Sequence, residues 1–155
     1  MSTDREGAVR EVFESWCRAW RTVDVELMKS VFDGDDPGFI YQSEEAPLPL
    51  KTASELNVFW DNAGGLMPGV PEWRELETDI SFFGDIAVMF TRIQAIILVE
   101  GVKEPITGPI RCTIVLREVD SGWRIVHYHE SRQADLAAFG LEDVPLYHTL
   151  DKSES

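Results

Sequence analysis

The periodicity of this chain changes once, at Trp73, and that change constrains its fold more than any other feature. Ahead of it, apolar residues recur at helical spacing; behind it, they alternate as strand residues do. The strand block ends in Arg111–Ser131, RCTIVLREVDSGWRIVHYHES, which reads as two strands joined by a turn at Asp120-Ser121-Gly122. Gly84-Asp85 marks an earlier hairpin, between Trp73–Phe82 and the long strand Ile86–Val99. Strict alternation in the last strand places Trp123, Ile125, His127, His129 and Ser131 on one face, with Arg124, Val126, Tyr128 and Glu130 on the other.

Three helices precede the strands. Thr3-Asp4-Arg5-Glu6 has capping-box spacing and opens a helix whose buried stripe holds Val9, Phe13, Trp16 and Trp20. Asp24 caps a short helix carrying Leu27, Met28, Val31 and Phe32, stopped by Gly34–Gly38. Asp33, Asp35 and Asp36 lack the ligand spacing of a calcium loop and read as a solvated turn. After a short strand, Phe39–Gln42, and an acidic loop, Ser43–Pro49, a second capping box at Thr52–Glu55 opens a helix burying Leu56, Phe59, Trp60 and Ala63. Gly64-Gly65 and Pro68 are its expected end. Helices followed by strands mean an α+β domain: a cone-shaped, curved antiparallel sheet packed against about three N-terminal helices, enclosing a cavity.

Composition excludes several functions. Twenty-eight acidic against fourteen basic residues, a formal net charge of −14, oppose binding to nucleic acid or to an anionic membrane surface. No apolar run reaches the ~20 residues needed to cross a bilayer, and the N-terminus lacks the pattern of a signal peptide. Two cysteines, Cys17 and Cys112, read as free thiols of a cytoplasmic protein. No phosphate loop or zinc spacing is present, so no cofactor and no bound metal are expected.

The segments TIVLR and GWRIVHYHES, with the helix carrying Phe59-Trp60 and the Gly84-Asp85 hairpin, resemble the nuclear transport factor 2-like superfamily and specifically its SnoaL-like branch. The likeness covers about residues 5–131 and implies a cystatin-like cone, in a superfamily of isomerases, dehydratases, cyclases and non-catalytic assembly domains. FTRIQ and VHYHES also resemble the association domain of calmodulin-dependent protein kinase. Its cavity arginine on the long strand corresponds to Arg92, a second falls near Thr113 or Ile114, and a third corresponds to Glu130, with the sign of the charge reversed. That correspondence turns Phe90, Arg92 and Gln94 inward, with Arg92 near Glu130 as an ion pair or a clamp for a polar ligand oxygen. The catalytic sets of the steroid isomerase and scytalone dehydratase do not transfer, because the first helix offers Trp16 and Trp20 where they need Tyr.

The expected ligand site therefore comprises Trp16, Trp20, Tyr41, Trp60, Phe90, Arg92, Gln94, Tyr128 and Glu130. Trp16 and Trp20 are core residues or a cavity wall, since both are built from the same rings. Glu130, His127 and His129 are the candidates for acid–base work. The two histidines serve a subunit interface, proton transfer or a metal, and the resemblance puts them on the convex face with Trp123. The expected protein is a homodimer binding a mainly apolar small molecule, with residues 1–131 as the cone domain. Residues 132–155 form an extension, either a lid or an arm onto a partner subunit. An isomerase, dehydratase or cyclase needing no cofactor, or an association module, are the alternatives.

Overall fold

The computed structural model describes residues 2–143, with side chains from Asp4 onward. Helices α1 (Ser2–Thr22), α2 (Val25–Ser30) and α3 (Ala53–Leu66) cover one face of a sheet built from β1 (Ile40–Gln42), β2 (Gly69–Phe83), β3 (Ile86–Leu98), β4 (Ile106–Val119) and β5 (Gly122–Ser131). The order across the sheet is β1-β5-β4-β3-β2, curved and open. Strands β2 to β5 form an antiparallel meander, whereas β1 joins β5 in parallel, Ile40 opposite His127 and Gln42 opposite His129. The class is α+β as expected, but the sheet is mixed. A three-residue strand carries no periodicity long enough to announce the direction of its pairing.

The helix starts follow from their caps. Asp24 accepts from the Leu27 amide at 2.9 Å. Thr52 and Glu55 close a reciprocal capping box at the start of α3, the Glu55 carboxylate also accepting from Lys51 N–H at 2.7 Å. Thr3, the expected cap of α1, lies outside the described side chains. Helix α3 runs through Gly64-Gly65 instead of stopping there, ending at Leu66, two residues before Pro68. Close packing explains Gly64: a Cβ there would stand 2.3 Å from Val25 Cγ2, so glycine lets α2 lie against α3. Asp36 is no solvated turn residue, since its carboxylate is buried and bonded to Arg117 Nε at 2.7 Å.

The core fills the space between helices and sheet. Ala87, Met89, Thr91, Ile93, Ala95 and Ile97 of β3 are all buried on the inner face. Small residues alternating with large ones there make room for the rings of α1, where Trp16 meets Trp73 edge-on at 5.3 Å and Tyr128 at 5.8 Å. Thr91 is fully buried and satisfies its hydroxyl on Glu77 O (3.0 Å) and Thr78 Oγ1 (2.8 Å), beside the irregularity between Glu75 and Glu77. Phe90, Arg92 and Gln94 therefore occupy the outer face, the reverse of the expected orientation.

A second correction concerns β5. Its pairing with β4 jumps from Leu116–Ile125 to Val115–His127, which leaves Val126 as an extra, unpaired residue. The bulge resets the alternation. Trp123 and Ile125 face the helices before it, Tyr128 and Glu130 face them after it, and all four are buried. His127 and His129 point outward, but Trp123 does not share their face: its ring packs against Phe82 and under the Arg5 guanidinium. Beyond Ser131, the described part of the extension forms a single 3-10 turn, Ala137–Phe139. Val144, Leu146, Tyr147 and His148 lie outside the described residues. Among the described residues no helix is long and apolar enough to cross a membrane.

Candidate functional site

A cavity of about 360 Å³ opens between α3, the segment after β1, and the ends of β3 and β5. Its walls are aromatic on one side, from Trp20, Tyr41, Phe59 and Trp60, and aliphatic on the other, from residues such as Ile97 and Ile110. Trp60 is the hinge of the aromatic side, standing nearly perpendicular to Trp20 (80°), Tyr41 (76°) and Phe59 (83°). The polar groups are few: Glu44, Glu45, Asn62, Glu130 and Arg132.

Glu130 is the chemical centre. The residue is 8% exposed, and its carboxylate accepts from Tyr128 Oη at 2.5 Å and from the Glu44 amide at 3.1 Å. Burial pushes its pKa from 4.5 up to about 7; the two hydrogen bonds oppose that rise, and the charges of Glu45 and Glu44 add to it. A carboxyl poised there exchanges protons at neutral pH. Tyr128 is fully buried beneath it, stacked on Tyr41 at 4.8 Å, with its hydroxyl 3.5 Å from Cys112 Sγ. Burial pushes both tyrosine hydroxyls and the Cys112 thiol well up, so all three stay neutral beside Glu130.

Arg132 closes one edge of the cavity. Its guanidinium bonds the Glu44 carboxylate and Thr107 O, and Arg111 bonds its carbonyl. Gly108 makes room for it, because a Cβ there would stand 2.0 Å from Arg132 Nη1.

Of the residues expected at a ligand site, Trp20, Tyr41, Trp60 and Glu130 meet in this cavity. Trp16 and Tyr128 lie in the core behind it, both fully buried. Phe90, Arg92 and Gln94 are on the opposite face of the sheet, where Arg92 pairs with Glu77 at 3.3 Å. Arg92 and Glu130 thus have the sheet between them, and the pair expected from the kinase resemblance does not exist. His127 and His129 are also on the outer face; burial, then the neighbouring His129, lowers the His127 pKa. Among the described residues no three His, Cys, Asp or Glu side chains are grouped to hold a metal. Sequence reasoning missed Glu44, Glu45, Asn62 and Arg132. Phe59 and Ala63 it placed on a buried helical stripe without assigning them to the cavity.

A family model for the SnoaL-like domain matches residues 9–135. No curated protein matches the sequence. Among solved structures, a candidate dehydratase of the NTF2-like family from Streptomyces avermitilis is 18% identical, with a TM-score of 0.72 over 86% of this chain and 98% of that one. An NTF2-like protein with a cystatin-like fold from Novosphingobium aromaticivorans is 15% identical (TM-score 0.66; 91% of this chain, 90% of that one). The CaMKII hub of S. rosetta is 22% identical (TM-score 0.64; 82% of this chain, 95% of that one). These likenesses describe the fold.

Proposed function

This chain belongs to the SnoaL-like domain family, and from that premise we propose that it binds a small, mainly apolar molecule in the cavity, with Glu130 holding the polar end. The observation that carries this reading is one buried carboxyl, its pKa near neutrality, at the edge of an otherwise aromatic and aliphatic cavity. The same carboxyl supports a second reading, acid–base chemistry of the isomerase, dehydratase or cyclase type, because a group titrating near pH 7 both accepts and donates protons efficiently there.

Binding is tested with an apolar neutral probe, naphthylmethanol, titrated into the protein by calorimetry. Saturable binding is expected, and Ala63→Trp, which fills the cavity from α3, should abolish it. Absence of saturation by this probe and by charged analogues of the same shape, or binding indifferent to Ala63→Trp in a folded variant, would sink the reading.

We also propose a homodimer built on the outer face of the sheet. The registers align Val88, Val115, His127 and Ile40 in one row across the strands, next to a row carrying Phe90, Thr113 and His129. That strip is apolar at its centre, and among the described residues no helix covers it. Trp123 and Ile125 play no part in it, being inside. Sedimentation should give a dimer at micromolar concentration, and Val115→Glu should give a monomer; a monomeric wild type would refute the assembly. Buried free thiols at Cys17 and Cys112 support a cytoplasmic setting. We propose residues 132–155 as an extension of the 1–131 domain, with Arg132 at the cavity edge in its support.

A further inference from the structure

We propose that the cavity selects an organic cation: a protonated amine on an aromatic or alicyclic body, its ammonium group facing Glu130. The inference rests on the small-molecule reading above and names the charge class of the ligand.

The balance of charge in the cavity is its first support. Among the described residues three carboxylates line it, Glu44, Glu45 and Glu130, against one cation, Arg132. That cation is already committed, bonded to the Glu44 carboxylate and to Thr107 O. An anionic ligand would have to take the guanidinium from Glu44 and then sit beside Glu130 and Glu45. Like charges at that range in a poorly solvated space repel strongly. The walls are the second support. Where the rings of Trp20, Tyr41, Phe59 and Trp60 meet one another they do so at 50–83°, so the same cavity offers π-systems in several orientations. Aromatic enclosures of this kind attract ammonium groups through the ring quadrupole, and an adjacent carboxylate adds a charge-assisted hydrogen bond. A neutral alcohol would gain the apolar contacts but neither of these.

The proton inventory at Glu130 supplies a signature. Around it stand Tyr128 on its own strand, Cys112 on β4, Tyr41 on β1, Glu44 and Glu45 on the following segment, and Arg132. The two phenols and the thiol remain neutral across the physiological range because burial raises them. An ammonium held at Glu130 favours its ionised form, so binding expels the carboxyl proton. With Glu130 titrating at about 7, amine affinity should rise by roughly tenfold or more between pH 5.5 and 8 and then level off. A neutral ligand shows no such rise.

The experiment compares three probes of one shape, naphthylmethylamine, naphthylmethanol and naphthoate, by calorimetry at both pH values. The expected order at pH 8 is amine above alcohol by at least tenfold, with naphthoate weakest. In two buffers of different ionisation enthalpy at pH 7, amine binding should release roughly half a proton per site. Glu130→Gln should remove the pH dependence and bring the amine down to the level of the alcohol. An alcohol that binds as well as the amine, or an amine whose binding releases no proton, overturns the cation inference and leaves small-molecule binding standing. Failure of all three probes to bind removes both.

Discussion

Trp16→Ala is expected to destabilise the protein by about 3–5 kcal/mol, the range for emptying a buried indole site. Trp16 is fully buried and joins three elements: it stacks on Phe13 of its own helix at 5.7 Å, meets Trp73 of β2 edge-on, and touches Tyr128 of β5. Relaxation cannot fill the void cheaply. Its neighbours are themselves rings wedged against other rings, Trp73 against Trp20 at 4.4 Å and Tyr128 against Tyr41 at 4.8 Å. For a chain of this length the loss corresponds to a fall in Tm on the order of 10 °C. Denaturant unfolding of the variant measures it directly. A loss below about 1 kcal/mol would mean that α1 is held to the sheet by something other than this cluster.

The second large effect is a pH slope in stability, and its direction is the opposite of that for an ordinary salt-bridged carboxylate. Glu130 has its folded pKa raised, from 4.5 to about 7. The native state therefore holds the proton more tightly than the unfolded chain does. The contribution of Glu130 is fully present below about pH 4.5 and is lost as pH rises to about 7, amounting to about 3 kcal/mol. Glu130→Gln keeps the shape and cannot ionise. The difference in stability between the two proteins, followed by denaturant titration from pH 4 to 8, should move by about 3 kcal/mol in favour of the variant. A difference that stays flat with pH, or moves against the variant, would show that Glu130 is ionised at neutral pH in the native state.

Much of the architecture was legible because it is local. Capping residues at Asp24 and Thr52 mark two helix starts, and Gly84-Asp85 marks the β2–β3 hairpin, since each is fixed by chemistry within a few residues. The inner face of β3 was also written in the chain: Met89, Ile93, Ala95 and Ile97 form an uncharged set, while Phe90, Arg92 and Gln94 include the charge. Following the kinase resemblance in place of that pattern turned the strand over. The cavity aromatics Trp20, Tyr41 and Trp60 stood out as large rings on buried stripes. Glu44 and Arg132 did not, because they come together across 88 positions of sequence and lie outside any periodic element. The parallel pairing of β1 was equally silent, depending on where the chain returns after α2.

Val126 acts on β5 as a frameshift acts on a message. Leaving one residue out of the pairing reverses the alternation of everything after it, so Tyr128 and Glu130 are delivered to the interior and His127 and His129 to the outside. The composition of the segment is unchanged by that choice. Were Val126 paired in the ordinary way, with no bulge, the same residues would present two imidazoles to the core side where they now present a phenol and a carboxyl. Chemistry on this scaffold can therefore be exchanged by a change in strand pairing, without replacing any of the side chains that perform it. Two relatives aligned column by column through HYHE would look identical in their functional residues while keeping them on opposite sides of the sheet.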